Sequence, residues 1–260
     1  MNKFFLLFLF FFAFSSVSTS LDRSFTYLQS PKLLELGEHR FGVTHRFYGD
    51  IETRQSLGMY DGANFAIDAW VSLTDLRRFS FVYNVLDSET SLGLHQQLFT
   101  YKFFINAFQV DYFFYDTNST SYSGFMFNYL LQYDNPNYQF MPILNYFYNT
   151  DSELSNIAFG FEYAFTRQVI FMFEYILSNS SVSDNASYTY ALKFSALGLN
   201  YYVSVQNSNQ TGLHQLLNGI DDSGNTYLGI KVDRIFNIKD FRKKSDYQQD
   251  YDRFIRDALE

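Results

Sequence analysis

The chain has 260 residues, with 27 acidic against 19 basic side chains, a net charge of −8 and no cysteine. The negative balance argues against a nucleic-acid partner, since a phosphate backbone is bound through clustered Lys and Arg. The lack of cysteine excludes a disulfide scaffold and a lipid-modified lipoprotein. Aromatic residues make up 21% of the chain while the mean hydropathy is only −0.17, a balance suited to strands with one face in lipid and one in water.

The N-terminus reads Met1-Asn2-Lys3, then eleven apolar residues from Phe4 to Phe14, then Ser15-Ser16-Val17-Ser18-Thr19-Ser20. A basic start, a short apolar run and a small-residue region predict a secretory signal peptide over residues 1–20, cleaved after Ser18 or Ser20. The run is too short to span a membrane as a helix, which takes about 20 apolar residues. Residues 21–34 are then expected as a periplasmic segment ahead of the first strand. Export without disulfides points to a bacterial envelope.

From there the chain alternates. Ile157, Phe159, Phe161, Tyr163 and Phe165 put a large apolar residue at every second position, which makes a strand with one apolar and one polar face. Segments of this kind predict strands at residues 35–47, 63–74, 77–86, 90–101, 103–115, 122–133, 138–148, 155–165, 168–177, 187–196, 199–207 and 226–236. If the first strand starts in the periplasm, the tight connections all fall on that side, at Asp75-Leu76, Lys102, Asp134-Asn135-Pro136-Asn137, Thr166-Arg167 and Leu197-Gly198. The external connections, at 48–62, 87–89, 116–121, 149–154, 178–186 and 208–225, are mostly longer and rich in Asn, Ser, Asp and Gly. Short turns on one side and long loops on the other are the outer-membrane pattern. The expected fold is all-β: an antiparallel transmembrane β-barrel of about 12 strands over residues 35–237.

Strand phase assigns the faces, because every second residue shares a side. Lipid is expected to meet Phe79, Phe81, Tyr83 and Val85; Phe125, Phe127, Tyr129 and Leu131; Val169, Phe171, Phe173 and Tyr175; and Tyr188, Tyr190, Leu192 and Phe194. Tyrosines near strand ends are expected to form interfacial girdles. The opposite phase collects Glu38, Arg40, Arg46, Asp68, Arg78, Asp111, Glu162, Glu174, Lys193, Lys231 and Asp233, five basic and six acidic. These are the candidate lumen-lining residues. Charges of mixed sign in a low-dielectric interior must pair or stay hydrated, so they either lock a closed lumen or line a narrow wet pore.

After Phe236, residues 238–260 become dense in both charge signs. Ser245 and Gln248 have capping-box spacing, and Tyr247, Tyr251, Phe254, Ile255 and Ala258 recur at helical spacing. These features predict a short amphipathic C-terminal helix in the periplasm, packed against the barrel mouth or offered to a periplasmic partner.

The two ends carry a family likeness. Gly37-Glu38-His39-Arg40-Phe41-Gly42-Val43-Thr44-His45-Arg46-Phe47 and Leu57-Gly58-Met59-Tyr60-Asp61-Gly62-Ala63-Asn64 resemble the first hairpin of bacterial outer-membrane barrels grouped as a domain of unknown function. Val203-Ser204-Val205-Gln206-Asn207-Ser208 and Leu228-Gly229-Ile230-Lys231-Val232-Asp233-Arg234-Ile235-Phe236 look like the closing strands of that family. The resemblance spans most of the mature chain and is sharp at its ends. It implies an outer-membrane barrel and brings no catalytic residues or substrate. The tail beyond Phe236 departs from barrels that end on their last aromatic residue.

Enzymatic and metal motifs are weak. The chain resembles twelve-stranded outer-membrane phospholipases in size but lacks their His-x-Ser-Asn-Gly stretch. His39 and His45 share a face, yet at about 3.3 Å per residue they lie roughly 20 Å apart, too far for one ion. His95 and His214 have no evident Ser or carboxylate partner. Asp221-Asp222-Ser223-Gly224-Asn225 lacks the Glu that closes a calcium loop. The Asn-x-Ser/Thr triplets at Asn118, Asn179, Asn185 and Asn209 read as turn composition. No cofactor is implied, no catalytic or metal-binding residue is assigned, and the chain is not expected to be an enzyme. The sequence supports a small-solute channel or transport barrel first, and a closed structural or partner-binding barrel second. An outer-membrane hydrolase comes third, for want of a triad. The expected partners are outer-membrane lipid and the barrel-assembly machinery.

Overall fold

The computed structural model describes residues 28–52, 57, 59, 62–85, 88–117, 120–177, 186–196, 198–208 and 224–237. Twelve strands follow one another: β1 Glu38–Asp50, β2 Ala63–Thr74, β3 Arg77–Asn84, β4 Glu89–Tyr101, β5 Phe104–Thr117, β6 Thr120–Tyr133, β7 Phe140–Asn149, β8 Leu154–Ala164, β9 Val169–Ile176, β10 Ser187–Ala196, β11 Leu199–Gln206 and β12 Tyr227–Asn237. Each pairs antiparallel with the next, and β1 pairs with β12, so the sheet closes into a barrel without a free edge. Closure lets the strands leave water, because main-chain donors and acceptors find partners within the wall.

Strands β2 and β10 begin and end where the alternation predicts. Strand β1 is displaced by three residues toward the C-terminus. Glu35 and Glu38 form a turn, with the Glu38 N–H donating to the Glu35 carbonyl at 2.9 Å and Gly37 at φ 88°, so pairing cannot begin earlier. At the other end the main chain goes on pairing through Tyr48 and Ile51. The turn expected at Lys102 is present, with Lys102 at φ 53° between β4 and β5. Strands β5 and β6 pair as far as Thr117 and Thr120, into the loop expected at 116–121.

One part of the expected fold class is corrected. Among the described residues there is no α-helix, so the architecture they show is the barrel alone. The expected C-terminal helix rested on the spacing of a few apolar residues. Its position, residues 238–260, lies outside the described residues, as do the signal peptide at 1–20, His214, Asp221 to Ser223, and Asn118, Asn179, Asn185 and Asn209.

The outer wall is apolar. Val85, Phe125, Tyr129, Tyr190 and Leu192 are exposed, while the alternate residues Ser80, Asn84, Asn128 and Thr189 are buried. Cross-strand aromatic pairs tie the outer face together, with ring centroids 5.7 Å apart for Phe161 and Phe173 and 5.1 Å for Phe173 and Tyr190. Exposed tyrosines sit near the strand ends, Tyr48, Tyr122 and Tyr148 at one rim and Tyr101 and Tyr138 at the other. His39 and His45 also face outward, against Phe236 and Phe65, at 5.7 and 4.9 Å between ring centroids.

Residues 28–34, expected ahead of the barrel, instead run inside it. Their hydrogen-bond partners are inward side chains of β2, β4, β6, β7 and β9.

Candidate functional site

The charges on the inner phase are not scattered. Ten of the eleven candidate residues, Arg40, Arg46, Asp68, Arg78, Asp111, Glu162, Glu174, Lys193, Lys231 and Asp233, are buried within the barrel. Glu38 is half-buried at the rim, where its Oε2 accepts the Glu35 N–H at 2.9 Å.

Arg40 lies at the centre of one cluster. Its Nη2 is 3.2 Å from Asp233 Oδ2 and 3.8 Å from Asp68 Oδ2, and Lys231 Nζ is 3.2 Å from Asp68 Oδ1. Two acids and two bases from β1, β2 and β12 therefore offset one another, as burial demands. Asn200 Nδ2 donates to Asp233 Oδ1 at 2.7 Å, and Ser195 Oγ donates to Asn200 Oδ1 at 2.7 Å, extending the contacts through β11 to β10. On the other side Trp70 is flanked by two guanidinium groups, Arg40 at 4.4 Å and Arg78 at 3.8 Å from its ring. The π-face attracts both cations and bridges β1 to β3 without a carboxylate.

Arg78 opens the second cluster. Its Nη2 lies 3.2 Å from His95 Nδ1 and 3.5 Å from Gln109 Oε1. His95 Nε2 is 3.3 Å from the Pro31 carbonyl. Arginine can only donate and a carbonyl can only accept, so the tautomer protonated at Nε2 suits Arg78 and Pro31, while Gln109 Oε1 also lies 3.2 Å from Nδ1. Gln109 Nε2 donates to Asp111 at 2.7 and 2.9 Å, and Asn128 Nδ2 donates to Asp111 Oδ2 at 2.8 Å. The result is a polar belt along the inner wall, from Ser195 on β10 through β12, β1 and β3 to Asn128 on β6. Over β7 to β9 the belt is replaced by the contacts of residues 28–30.

The other candidates also meet groups of the inner wall. Arg46 donates to Ser204 Oγ at 3.3 Å. Lys193 and Lys231 approach the Tyr202 ring, at 5.5 and 5.9 Å. Glu174 Oε2 accepts the Leu28 N–H at 2.9 Å. Glu162 is buried on the inner phase of β8.

Two regularities emerge from the register. Four of the inward glycines stand directly across from charged residues: Gly42 between Asp68 and Asp233, Gly93 opposite Asp111, Gly160 opposite Glu174 and Gly229 opposite Arg46. A side chain at Gly42 would lie 2.5 Å from Asp68 Oδ1, and one at Gly229 would overlap Arg46 and Ser204. At these two positions the absent Cβ lets a charged group lie against the wall. The charge signs are also uneven around the wall. The inward basic residues belong to β1, β3, β10 and β12, beside the buried acids Asp50, Asp68 and Asp233, whereas strands β4 to β9 contain no Lys or Arg and turn Glu89, Asp111, Glu162 and Glu174 inward.

Trp70, His95, Gln109, Asn128, Gln132 and Asn145 complete the site and were not among the sequence candidates. They sit on the inner phase, so counting uncharged polar and aromatic residues there would have found them. Residues 28–34 carry no periodic signal.

No protein-family model and no curated protein sequence matches this chain. Its fold is similar to that of two solved structures. The KdgM porin matches with a TM-score of 0.55 at 10% identity, over 77% of this chain and 99% of that one. The NanC porin, in a rhombohedral crystal form, matches with a TM-score of 0.51 at 8% identity, over 76% of this chain and 98% of that one. At such identities the likeness is one of fold. A closed single-chain barrel with an even strand number, an apolar outside and a polar inside is an outer-membrane barrel.

Proposed function

We propose that this protein is a transport barrel, a channel for small solutes whose lumen is polarised across its width. The observation that carries this reading is the uneven spread of buried charge: among the described residues all five buried cations lie on β1, β3, β10 and β12, where Asp50, Asp68 and Asp233 offset them only in part, while β4 to β9 carry acids alone. Burying an ion costs several kcal/mol, and apolar filling would stabilise a purely structural wall better. Opposed rows of charge instead orient and select a solute passing between them. A second reading, a closed structural or partner-binding barrel, is favoured by the burial of Arg46, Lys193 and Glu162, each 0% exposed.

Conductance in planar bilayers separates the two readings. The transport barrel gives unitary steps, and reversing two of these cations with Arg40→Glu and Arg46→Glu shifts its reversal potential in a salt gradient toward cation selectivity. A protein that inserts but never conducts, even after replacement of residues 28–34, is the closed barrel.

A further inference from the structure

We propose that the interior of this barrel is a binding site for an extended peptide, with residues 28–34 of the chain as its resident ligand. This deepens the transport reading by naming the class of occupant of the lumen. The segment is held through its main chain. Its Leu28 N–H donates to Glu174 Oε2 at 2.9 Å, and its Gln29 carbonyl accepts from Asn145 Nδ2 at 3.1 Å. The Pro31 carbonyl meets His95 Nε2 at 3.3 Å, and the Leu34 carbonyl lies 3.4 Å from Ser72 Oγ, whose one proton it shares with the Thr74 carbonyl at 3.2 Å. Contacts of this kind fix the direction and extension of a peptide, and pockets for particular side chains then set its sequence.

Two side chains of the segment are received by the wall in this way. Ser30 Oγ donates to Gln132 Oε1 at 2.7 Å. Leu28, 2% exposed, joins a buried apolar cluster of Phe113, Met126, Ile143, Phe147, Ala158 and Ile176. Gly160 leaves the space, since a Cβ there would lie 2.8 Å from Leu28 Cδ1. Near the strand ends, Lys32 Nζ pairs with Asp134 Oδ2 at 3.3 Å. The site therefore reads an apolar residue, then a hydroxyl two positions on, then a cation two positions further. Every one of these wall groups is a side chain, and each strand already has a neighbour on both edges. The segment can leave without breaking a strand pair.

The experiment replaces residues 28–34 with a Gly/Ser stretch of equal length in the full chain, with heat-modifiable gel migration as the check of folding. A fluorescent synthetic peptide of the sequence Leu28–Leu34 is then titrated by anisotropy. Saturable binding to the replaced barrel is expected, with the intact barrel, already occupied, binding at least tenfold less. A peptide with Gly for Leu28 is expected to bind weaker by roughly tenfold or more, the cost of emptying an apolar pocket. Equal binding to intact and replaced barrels, equal binding of a scrambled peptide, or no binding overturns the proposal. If the Gly/Ser chain does not fold, Leu28→Gly in the otherwise intact chain takes its place and must admit the peptide better than the unaltered protein; equal uptake overturns the proposal. Binding to a replaced barrel that does not conduct leaves this site standing and removes the transport reading.

Discussion

Arg40→Met removes one cation from the most connected cluster while keeping a long apolar side chain in its place. Asp233 then loses a guanidinium at 3.2 Å and keeps Asn200, while Asp68 keeps Lys231 at 3.2 Å. Breaking a buried pair by removing one partner costs about 3–5 kcal/mol, because the other charge stays behind in the low-dielectric interior. The lost stacking on Trp70, at 4.4 Å, contributes about 0.5–2 kcal/mol to the loss. A total of about 3–5 kcal/mol is expected, since Asn200 and Lys231 offset part of it. Adding Asp233→Asn removes the stranded charge, so the double variant should recover about 2 kcal/mol or more relative to additivity. The assay is urea unfolding from lipid vesicles followed by tryptophan emission. Trp70 is the only tryptophan of the chain and stacks on Arg40 itself, so one probe reports both the cluster and the global transition. If Arg40→Met costs under about 0.5 kcal/mol, or the two substitutions simply add, the cluster is not coupled as the distances imply.

Two further substitutions probe the two faces of the wall. Phe125→Arg places a cation on the exposed outer face and should destabilise the folded protein in vesicles by about 2–4 kcal/mol, or block insertion; equal stability in the same urea titration contradicts a lipid-facing Phe125. Gly229→Val puts a side chain where Arg46 and Ser204 lie and should cost about 1–3 kcal/mol through overpacking, a loss that Gly229→Val combined with Arg46→Ala should partly relieve. Absence of that relief in thermal unfolding contradicts the contact.

The barrel was legible in the sequence because both phases of its strands speak clearly. On β8, Ile157, Phe159, Phe161 and Tyr163 face one way while Asn156, Gly160 and Glu162 face the other, and no soluble packing asks for so aromatic an outer face. Charges such as Glu162 and Glu174 were readable for the same reason, lying between aromatic neighbours of opposite phase. Which charges meet was not readable, because that depends on register. Arg46 lies beside Gly229 only because β1 pairs with β12 across the closure, and Trp70 separates Arg40 from Arg78 only because three strands happen to align. Residues 28–34 were invisible for a different reason. They follow no period, and their anchors Gln132, Asn145 and Glu174 lie more than a hundred residues away in the chain.

The central claim, that the chain's own N-terminal segment occupies the interior of a membrane barrel, is tested most directly by cross-linking residue 30 to the wall. The protein has no cysteine, so a pair of introduced thiols is unambiguous. Ser30 Oγ lies 2.7 Å from Gln132 Oε1, while Leu131, its neighbour on β6, belongs to the opposite, lipid-facing phase. Joined by a short bifunctional thiol reagent in intact vesicles, Ser30→Cys with Gln132→Cys should give a looped species of altered gel mobility in high yield, and Ser30→Cys with Leu131→Cys should give none. Equal yields from the two pairs, or no product from the first, would contradict the account.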